Sequence, residues 1–189
     1  MKTFKQVTAI IITLSLALSL ALVAQPVKAI DCSKGQDCYS AHVDKKGFYI
    51  KNGVLIRYLG NKKKLTLPKK VKAIGEAAFE ITDHYKGYVK TLIIPKTCKT
   101  IKKEALVFSG IKKVVMKEGV KTLKKRCFAD TYLKKVYFPK SVKKIGKGIM
   151  DTEEGLQGTK IYVYKNSKAH KYFKKTKNQP YGNYKLKIK

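Results

Sequence analysis

The chain has 189 residues, with 43 Lys plus Arg against 12 Asp plus Glu, a formal charge of +31 and 44% hydrophobic residues. That length holds one domain of ordinary size and leaves no room for several catalytic ones. The apolar fraction excludes a purely disordered basic tail, and the charge requires strong apolar patterning to hold a self-repelling fold together.

Lys2 and Lys5 precede an uncharged apolar stretch from Val7 to Ala24, which Gln25 and Pro26 end and Val27, Lys28 and Ala29 follow. A basic start, an apolar middle and a small-residue end describe a secretory signal peptide over 1–29, cleaved after Ala29. The alternative is an uncleaved anchor. At 18 residues the stretch lies near the lower limit for crossing a bilayer, and Thr8, Thr13, Ser15 and Ser19 dilute it. Ile30 and Asp31 are not the small residues that a lipoprotein signal places before its cysteine, so Cys32 is not read as a lipidation site. Cleavage removes three lysines and no acid, leaving 160 residues at +28 and no second apolar run. The expectation is an exported protein with no membrane span after cleavage.

Segment 30–47 contains Cys32 and Cys38 around a short polar loop. In an oxidising compartment these two form a disulfide, worth about 2 kcal/mol for so small a ring. A metal site would need two more ligands, and only His42 stands nearby, so neither a metal nor a cofactor is expected. Residues 48–60 alternate apolar positions around Asn52-Gly53, the sequence signal of a tight β-hairpin, here read as a cap on the chain beyond residue 60.

Residues 61–173 repeat. The segments 65–68, 92–95, 114–117, 136–139 and 161–164 read LTLP, LIIP, VVMK, VYFP and IYVY, with steps of 27, 22, 22 and 25 residues between their fourth positions. Three residues after the fourth position come Val71, Cys98, Val120 and Val142; six after come Ile74, Ile101, Leu123 and Ile145. Ten and eleven after come the pairs Ala78-Phe79, Ala105-Leu106, Cys127-Phe128 and Ile149-Met150. Each copy is a short strand with two inward side chains, a turn and a return path. One copy cannot bury its own apolar face, whereas stacked copies share a continuous core. The pattern predicts a solenoid of short parallel strands with irregular return segments and little regular helix.

These residues resemble the BspA-type leucine-rich repeats of bacterial secreted and surface proteins, whose pattern runs L-x-x-L-x-L-P-x-x-V-x-x-I-x-x-x-A-F-x-x-C. The match is seen at Val71, Ile74, Ala78 and Phe79, and again at Leu133, Val136, Phe138, Pro139, Val142 and Ile145; the third copy departs with Lys117 in place of proline, and the fourth with Ile149-Met150 and an acidic insertion. The resemblance implies a curved leucine-rich repeat domain used for adhesion or protein binding at the cell surface, without catalytic machinery. It names no ligand.

After the last strand, Asn166 or Ser167 caps a short predicted helix. Residues 174–189 read as a basic C-terminal tail in which Tyr184, Leu186 and Ile188 alternate as one more edge strand would. The tail shows no sorting motif or apolar anchor, so a secreted protein held at the surface by non-covalent contacts is expected.

Candidates for chemistry are few. Cys98 and Cys127 occupy core slots of adjacent repeats, where buried thiols are expected and a bridge is the alternative. The three histidines are scattered, and no phosphate loop, nucleophile elbow or zinc motif occurs. The carboxylates Asp151, Glu153 and Glu154 define an alternative function, a secreted hydrolase acting on an anionic polymer.

The lysines instead fall in rows. Four residues before the fourth position stand Lys64, Thr91, Lys113, Lys135 and Lys160; five before stand Lys63, Lys90, Lys112, Lys134 and Thr159; four after stand Lys72, Lys99, Lys121 and Lys143. Two before, on the exposed strand face, stand Thr66, Ile93, Val115, Tyr137 and Tyr162. Lys90, Lys112, Lys113, Lys134, Lys135, Tyr137, Lys160 and Tyr162 therefore make a candidate binding surface for an anionic cell-wall polymer, an acidic glycan or an acidic surface protein. Arginine occurs only at positions 57 and 126. Base readout and bidentate phosphate clamps favour Arg, so nucleic acid would be bound only without sequence preference. A cationic membrane-active protein is disfavoured, because the lysines follow strand ladders rather than one helix face.

Overall fold

Each L-x-L-P segment alternates inward and outward side chains and ends where proline or its replacement turns the chain, and it folds as a short strand. A computed structural model describes residues 42–81, 87–151, 158–176 and 183–189, all within the compact unit that begins at His42. The long-strand ladder comprises β3 (Lys64–Thr66), β5 (Thr91–Ile94), β7 (Lys113–Met116), β9 (Lys135–Tyr137) and β11 (Thr159–Val163), all parallel. Tyr184–Ile188 adds β12 beside β11, so the alternation seen at the C-terminus makes an edge strand. The signal-peptide stretch, Cys32 and Cys38 lie outside the described residues.

The return segments hold more order than expected. Each contributes a two-residue strand, β4 (Ala73–Ile74), β6 (Thr100–Ile101), β8 (Thr122–Leu123) and β10 (Lys144–Ile145), and these pair in parallel as a second sheet. The chain is thus a parallel β-solenoid of about five turns with one helix among the described residues, α1 (Lys168–Thr176). The hairpin β1 (Phe48–Lys51) and β2 (Val54–Tyr58) turns at Asn52 and Gly53, both with positive φ. It caps the stack by pairing β2 with β4 in the second sheet.

The apolar positions aligned from the sequence form interior columns. Leu65, Leu92, Val114, Val136 and Ile161 are buried, as are Val71, Cys98, Val120 and Val142. Only Ile145, in the second sheet's column, is partly buried and packs against the core. Aromatic side chains close both ends: Phe48, Tyr58 and Phe79 at the hairpin, and Phe128, Phe138, Phe173 and Tyr184 at the other. Helix α1 covers that end with Ala169 and Phe173, and Ser167 caps it by accepting the His170 amide at 3.1 Å.

The third copy lacks the turn proline but is tied to its neighbours by other means. Lys117, which has the amide that a proline lacks, donates to the Ile94 carbonyl at 2.9 Å. The Glu118 carboxylate accepts the amides of Lys140 and Ser141 in the next turn at 2.9 and 3.0 Å. The Ser141 hydroxyl accepts the Gly119 amide at 2.8 Å and donates to the Val120 carbonyl at 2.9 Å. Gly119 itself has φ +123°, and a Cβ there would collide with the Lys96 carbonyl in the turn of the preceding coil. Gly119→Ala should therefore lower the unfolding free energy by about 2–4 kcal/mol, read as a lower urea midpoint at unchanged m-value. A variant as stable as the parent would show that these turns do not stack this closely.

Candidate functional site

The outward face of the long-strand ladder collects the lysines. Strand pairing places Lys64, Thr91, Lys113, Lys135, Lys160 and Lys185 in one column, in that order. Lys185, contributed by β12, extends the run so that four consecutive strands each present a lysine. The adjoining row is equally regular: the amide of Lys112 donates to the Lys90 carbonyl at 3.0 Å, and that of Lys134 to the Lys112 carbonyl at 2.8 Å. It ends at buried Thr159, whose hydroxyl donates to the Leu133 carbonyl at 2.6 Å.

The second outward column runs Thr66, Ile93, Val115, Tyr137, Tyr162 and Lys187. Tyr137 and Tyr162 are stacked, with ring centroids 4.3 Å apart and planes 3° apart. The Lys113 ammonium lies 5.4 Å from the Tyr137 centroid. Lys189 Nζ lies 4.8, 5.8 and 5.9 Å from the centroids of Tyr137, Tyr162 and Tyr164, and Lys140 Nζ lies 5.0 Å from Tyr164. Burial, then a phenol hydrogen bond with Tyr162, raises the Tyr137 pKa, so this phenol adds no negative charge near neutral pH. The tyrosine faces are occupied by one another and by ammonium groups. They act as holders of cations, each contact worth about 0.5–1 kcal/mol at an exposed site. Lys140, Tyr164, Lys185, Lys187 and Lys189 are absent from the set predicted from the sequence. The placement of Lys185, Lys187 and Lys189 comes from the register of β11 and β12, which only the weak alternation at 184–188 signalled, whereas Tyr164 ends the fifth repeat segment and Lys140 follows Pro139. Phe108 and Tyr132, both exposed where the chain returns towards the long strands, also escaped notice.

The described ion pairs lie elsewhere. Among the described residues the ion pairs join Arg57 to Glu80, Lys70 to Asp44, Lys103 to Glu76 and Glu104, and Arg126 to Glu104 and Asp130. None involves a lysine of the strand face. From residue 155 to the C-terminus the sequence carries ten lysines and no acid. Ammonium groups at strand spacing, ~4.8 Å, repel by about 0.9 kcal/mol per neighbouring pair in water, less once the stems splay or salt screens them.

The remaining chemical candidates do not converge. Cys98 and Cys127 are free, buried thiols. Burial pushes the Cys98 thiol up to about 11 and the Cys127 thiol higher still. His42 stacks on Tyr49, with centroids 5.1 Å apart. Among the described residues no three His, Cys, Asp or Glu side chains cluster as metal ligands would, and no helix is long and apolar enough to cross a membrane. Asp151 follows Gly148 in a turn, its amide donating to the Gly148 carbonyl at 3.2 Å. Glu153 and Glu154 lie outside the described residues.

A family model described as BspA type leucine rich repeat region matches residues 56–176 in six copies, close to two thirds of the chain. No curated protein matches the sequence.

This geometry sets two measurable dependences. Because no strand-face lysine is in an ion pair among the described residues, the melting temperature of the free protein should rise as NaCl or KCl is raised from low ionic strength. It should rise less in a K113Q/K135Q/K160Q variant; a flat or falling wild-type trend would contradict an unrelieved ladder. The thiols set the second dependence. Cys98 ionises near its ordinary value of 9.0 when unfolded and near 11 when folded, so its contribution to stability is full below pH 9 and lost as pH rises towards 11. Cys98→Val, which matches the rest of its column, should fold normally and show a shallower alkaline loss in pH-dependent urea melts. An identical alkaline limb would remove Cys98 as its cause.

Proposed function

We propose, since the chain belongs to the BspA-type leucine-rich repeat family, that it is an exported, non-enzymatic binding protein whose lysine-covered strand face adheres to anionic polymers or acidic proteins at the cell surface. Proteins of this family are typically surface-associated bacterial proteins, and their repeats typically serve as binding scaffolds. The reading of residues 1–29 as a signal peptide supports export.

The observation that carries the proposal is the uninterrupted column Lys113, Lys135, Lys160 and Lys185, in register and facing outward, none of them in an ion pair among the described residues. Backbone pairing alone does not require lysine there, because Thr91 occupies the same column on β5. A row of like charges opposes folding and is retained in four successive strands.

The arginines refine what is bound. Arg57 is buried, with its guanidinium 2.6 Å from the Ala77 carbonyl, and Arg126 is held 2.6 Å from Asp130. Neither is on the strand face, so the contacts there are lysine point charges without a bidentate fork. Binding should be independent of ligand sequence and driven by counterion release.

Titration of a heparin-like glycan, DNA and an anionic wall polymer across a salt series tests this. For a linear polyanion making six lysine contacts, affinity should fall about a thousandfold between roughly 50 and 200 mM salt. A K112Q/K113Q/K134Q/K135Q variant should show a smaller salt slope at an unchanged or raised melting temperature. Salt-independent binding, or a variant indistinguishable from wild type, would show that the strand-face lysines only solubilise the protein.

A further inference from the structure

We infer that the strand face takes its ligand lengthwise: an extended, single-chain polyanion lies along the solenoid axis, crossing β7, β9, β11 and β12, with one anionic group near each rung. This rests on the anion-binding reading above and adds to it a ligand shape, a direction and a length.

The direction comes from how charge is distributed on the face. Along the axis, the four lysines of the column recur at every strand, ~4.8 Å apart, so three steps cover about 14 Å. Across the axis, along one strand, the next outward side chain after the lysine is Val115 on β7, Tyr137 on β9 and Tyr162 on β11. Only β12 presents a second lysine, Lys187. Within the two outward columns, a polymer laid along β7, β9 or β11 would meet one lysine; the same polymer laid across the strands meets four. A globular acidic partner or a stiff duplex would engage the face as a patch, whereas an extended chain can follow the column rung by rung.

The face is also uneven from end to end. Towards the hairpin the two outward columns offer Lys64 and Thr91, and Thr66 and Ile93. Towards α1 and β12 they offer lysine at every rung, the stacked tyrosines and Lys187. The Lys189 ammonium, within 6 Å of three tyrosine centroids, adds a cation held beside the column at this end. The strip therefore has a dense end of four of its six rungs, and that end sets the useful ligand length.

The molecule supplies its own control. On the return side Lys72, Lys99, Lys121 and Lys143 are also stacked, through amide-to-carbonyl bonds of 2.7–2.9 Å between successive coils. No tyrosine holds their ammonium groups among the described residues, and the Lys99 ammonium is directed to the Lys96 carbonyl at 2.8 Å. Equal numbers of lysines can thus be removed from either side with the same change in net charge.

The test uses the full exported chain and linear polyphosphate of defined length, from pyrophosphate upward, with calorimetric affinities at roughly 0.1 M salt. Affinity should climb steeply with each added phosphate until the polymer spans about four rungs and then level off. The K113Q/K135Q/K160Q variant should lose roughly a hundredfold on long chains, from three contacts each worth about fivefold at this salt, and its length dependence should flatten. The charge-matched K99Q/K121Q/K143Q variant should lose less than about tenfold. Melting curves verify that both fold, and Lys135→Gln alone, expected to lose about fivefold, replaces a triple that does not. Equal losses in the two triples would overturn the lengthwise strip while leaving salt-dependent anion binding intact. Affinity already at its plateau with pyrophosphate would replace the strip by a single anion pocket. Preference for duplex DNA over polyphosphate at equal phosphate concentration would overturn the ligand shape. Absence of salt-dependent binding to any of these would remove both this inference and the proposed function.

Discussion

Backbone hydrogen bonding between successive coils is the constraint on which the rest of the structure depends. At the strand, Lys112 donates to Lys90 and Lys134 to Lys112; after the turn, Lys121 donates to Lys99 and Lys143 to Lys121. Past the second sheet, Lys124 donates to Ile101 and Gly146 to Leu123; in the closing loop, Leu106 donates to Cys127 and Phe128 to Ile149. A coil cannot slip by one residue without breaking bonds on all sides at once and turning its apolar set outward. Register is therefore fixed, and a residue type repeated at one position of the sequence becomes a column in space. The same rule sorts insertions. The long first and fourth copies differ from the 22-residue copies before the next strand, yet register resumes at Lys90, bonded to Lys63, and at Lys160, bonded to Lys134.

The parts of the fold legible in the sequence were those that buried side chains specify. Leu65, Val71, Ile74, Ala78 and Phe79 and their counterparts are apolar because each faces the interior, so aligning them recovered the columns. The second sheet was hidden because a strand of two residues, such as Thr100–Ile101, has no room to show alternation. Non-glycine residues in left-handed conformations were hidden too. Ala77, Glu104 and Arg126 have φ near +50°, and Gly148, at the same place in its copy, has φ 58°. Stacking forces that bend on whatever residue stands there, at a cost of order 1–2 kcal/mol for a side chain that favours the opposite twist. Glu118 was illegible for another reason: its partners are backbone amides 22 and 23 residues away. At the candidate site the lysine rows were readable as repeats. The tyrosine–ammonium contacts were not, because Lys189 reaches Tyr137 only through β12 and β11.

Charge and core divide the molecule. The interior columns are aliphatic in the middle coils and aromatic at the ends, where no further coil supplies a neighbour and larger rings fill the space. Acids are placed where they pair: Glu104 joins Lys103 to Arg126, which also holds Asp130, linking adjacent coils on one edge. Exposed pairs of this kind are worth only about 0–1 kcal/mol each, so they do not offset a net charge of +31. Burial of the apolar columns must carry that load, which explains how the strand face tolerates lysine on neighbouring strands with no ion pair to them among the described residues.

That tolerance has a consequence for what such a face can do. On a helix, like charges in sequence rotate away from one another; on a stacked solenoid they are brought into line at the closest spacing the backbone permits. A polyanion laid on that line relieves repulsion between neighbours as well as forming new contacts, so its gain includes free energy already stored in the free protein. The gain is largest where lysines are consecutive, from Lys113 to Lys185, and is interrupted at Thr91. Lysine suits this use better than arginine. Its ammonium is a strongly hydrated point charge on a flexible stem, able to follow a moving phosphate or carboxylate without demanding one geometry. The two arginines, whose planar forks do demand one, are spent inside the scaffold on Ala77, Asp130 and Glu104. Rigid cations thus serve the fold and mobile cations face outward, the division expected of a surface that must hold many positions of a repetitive polymer.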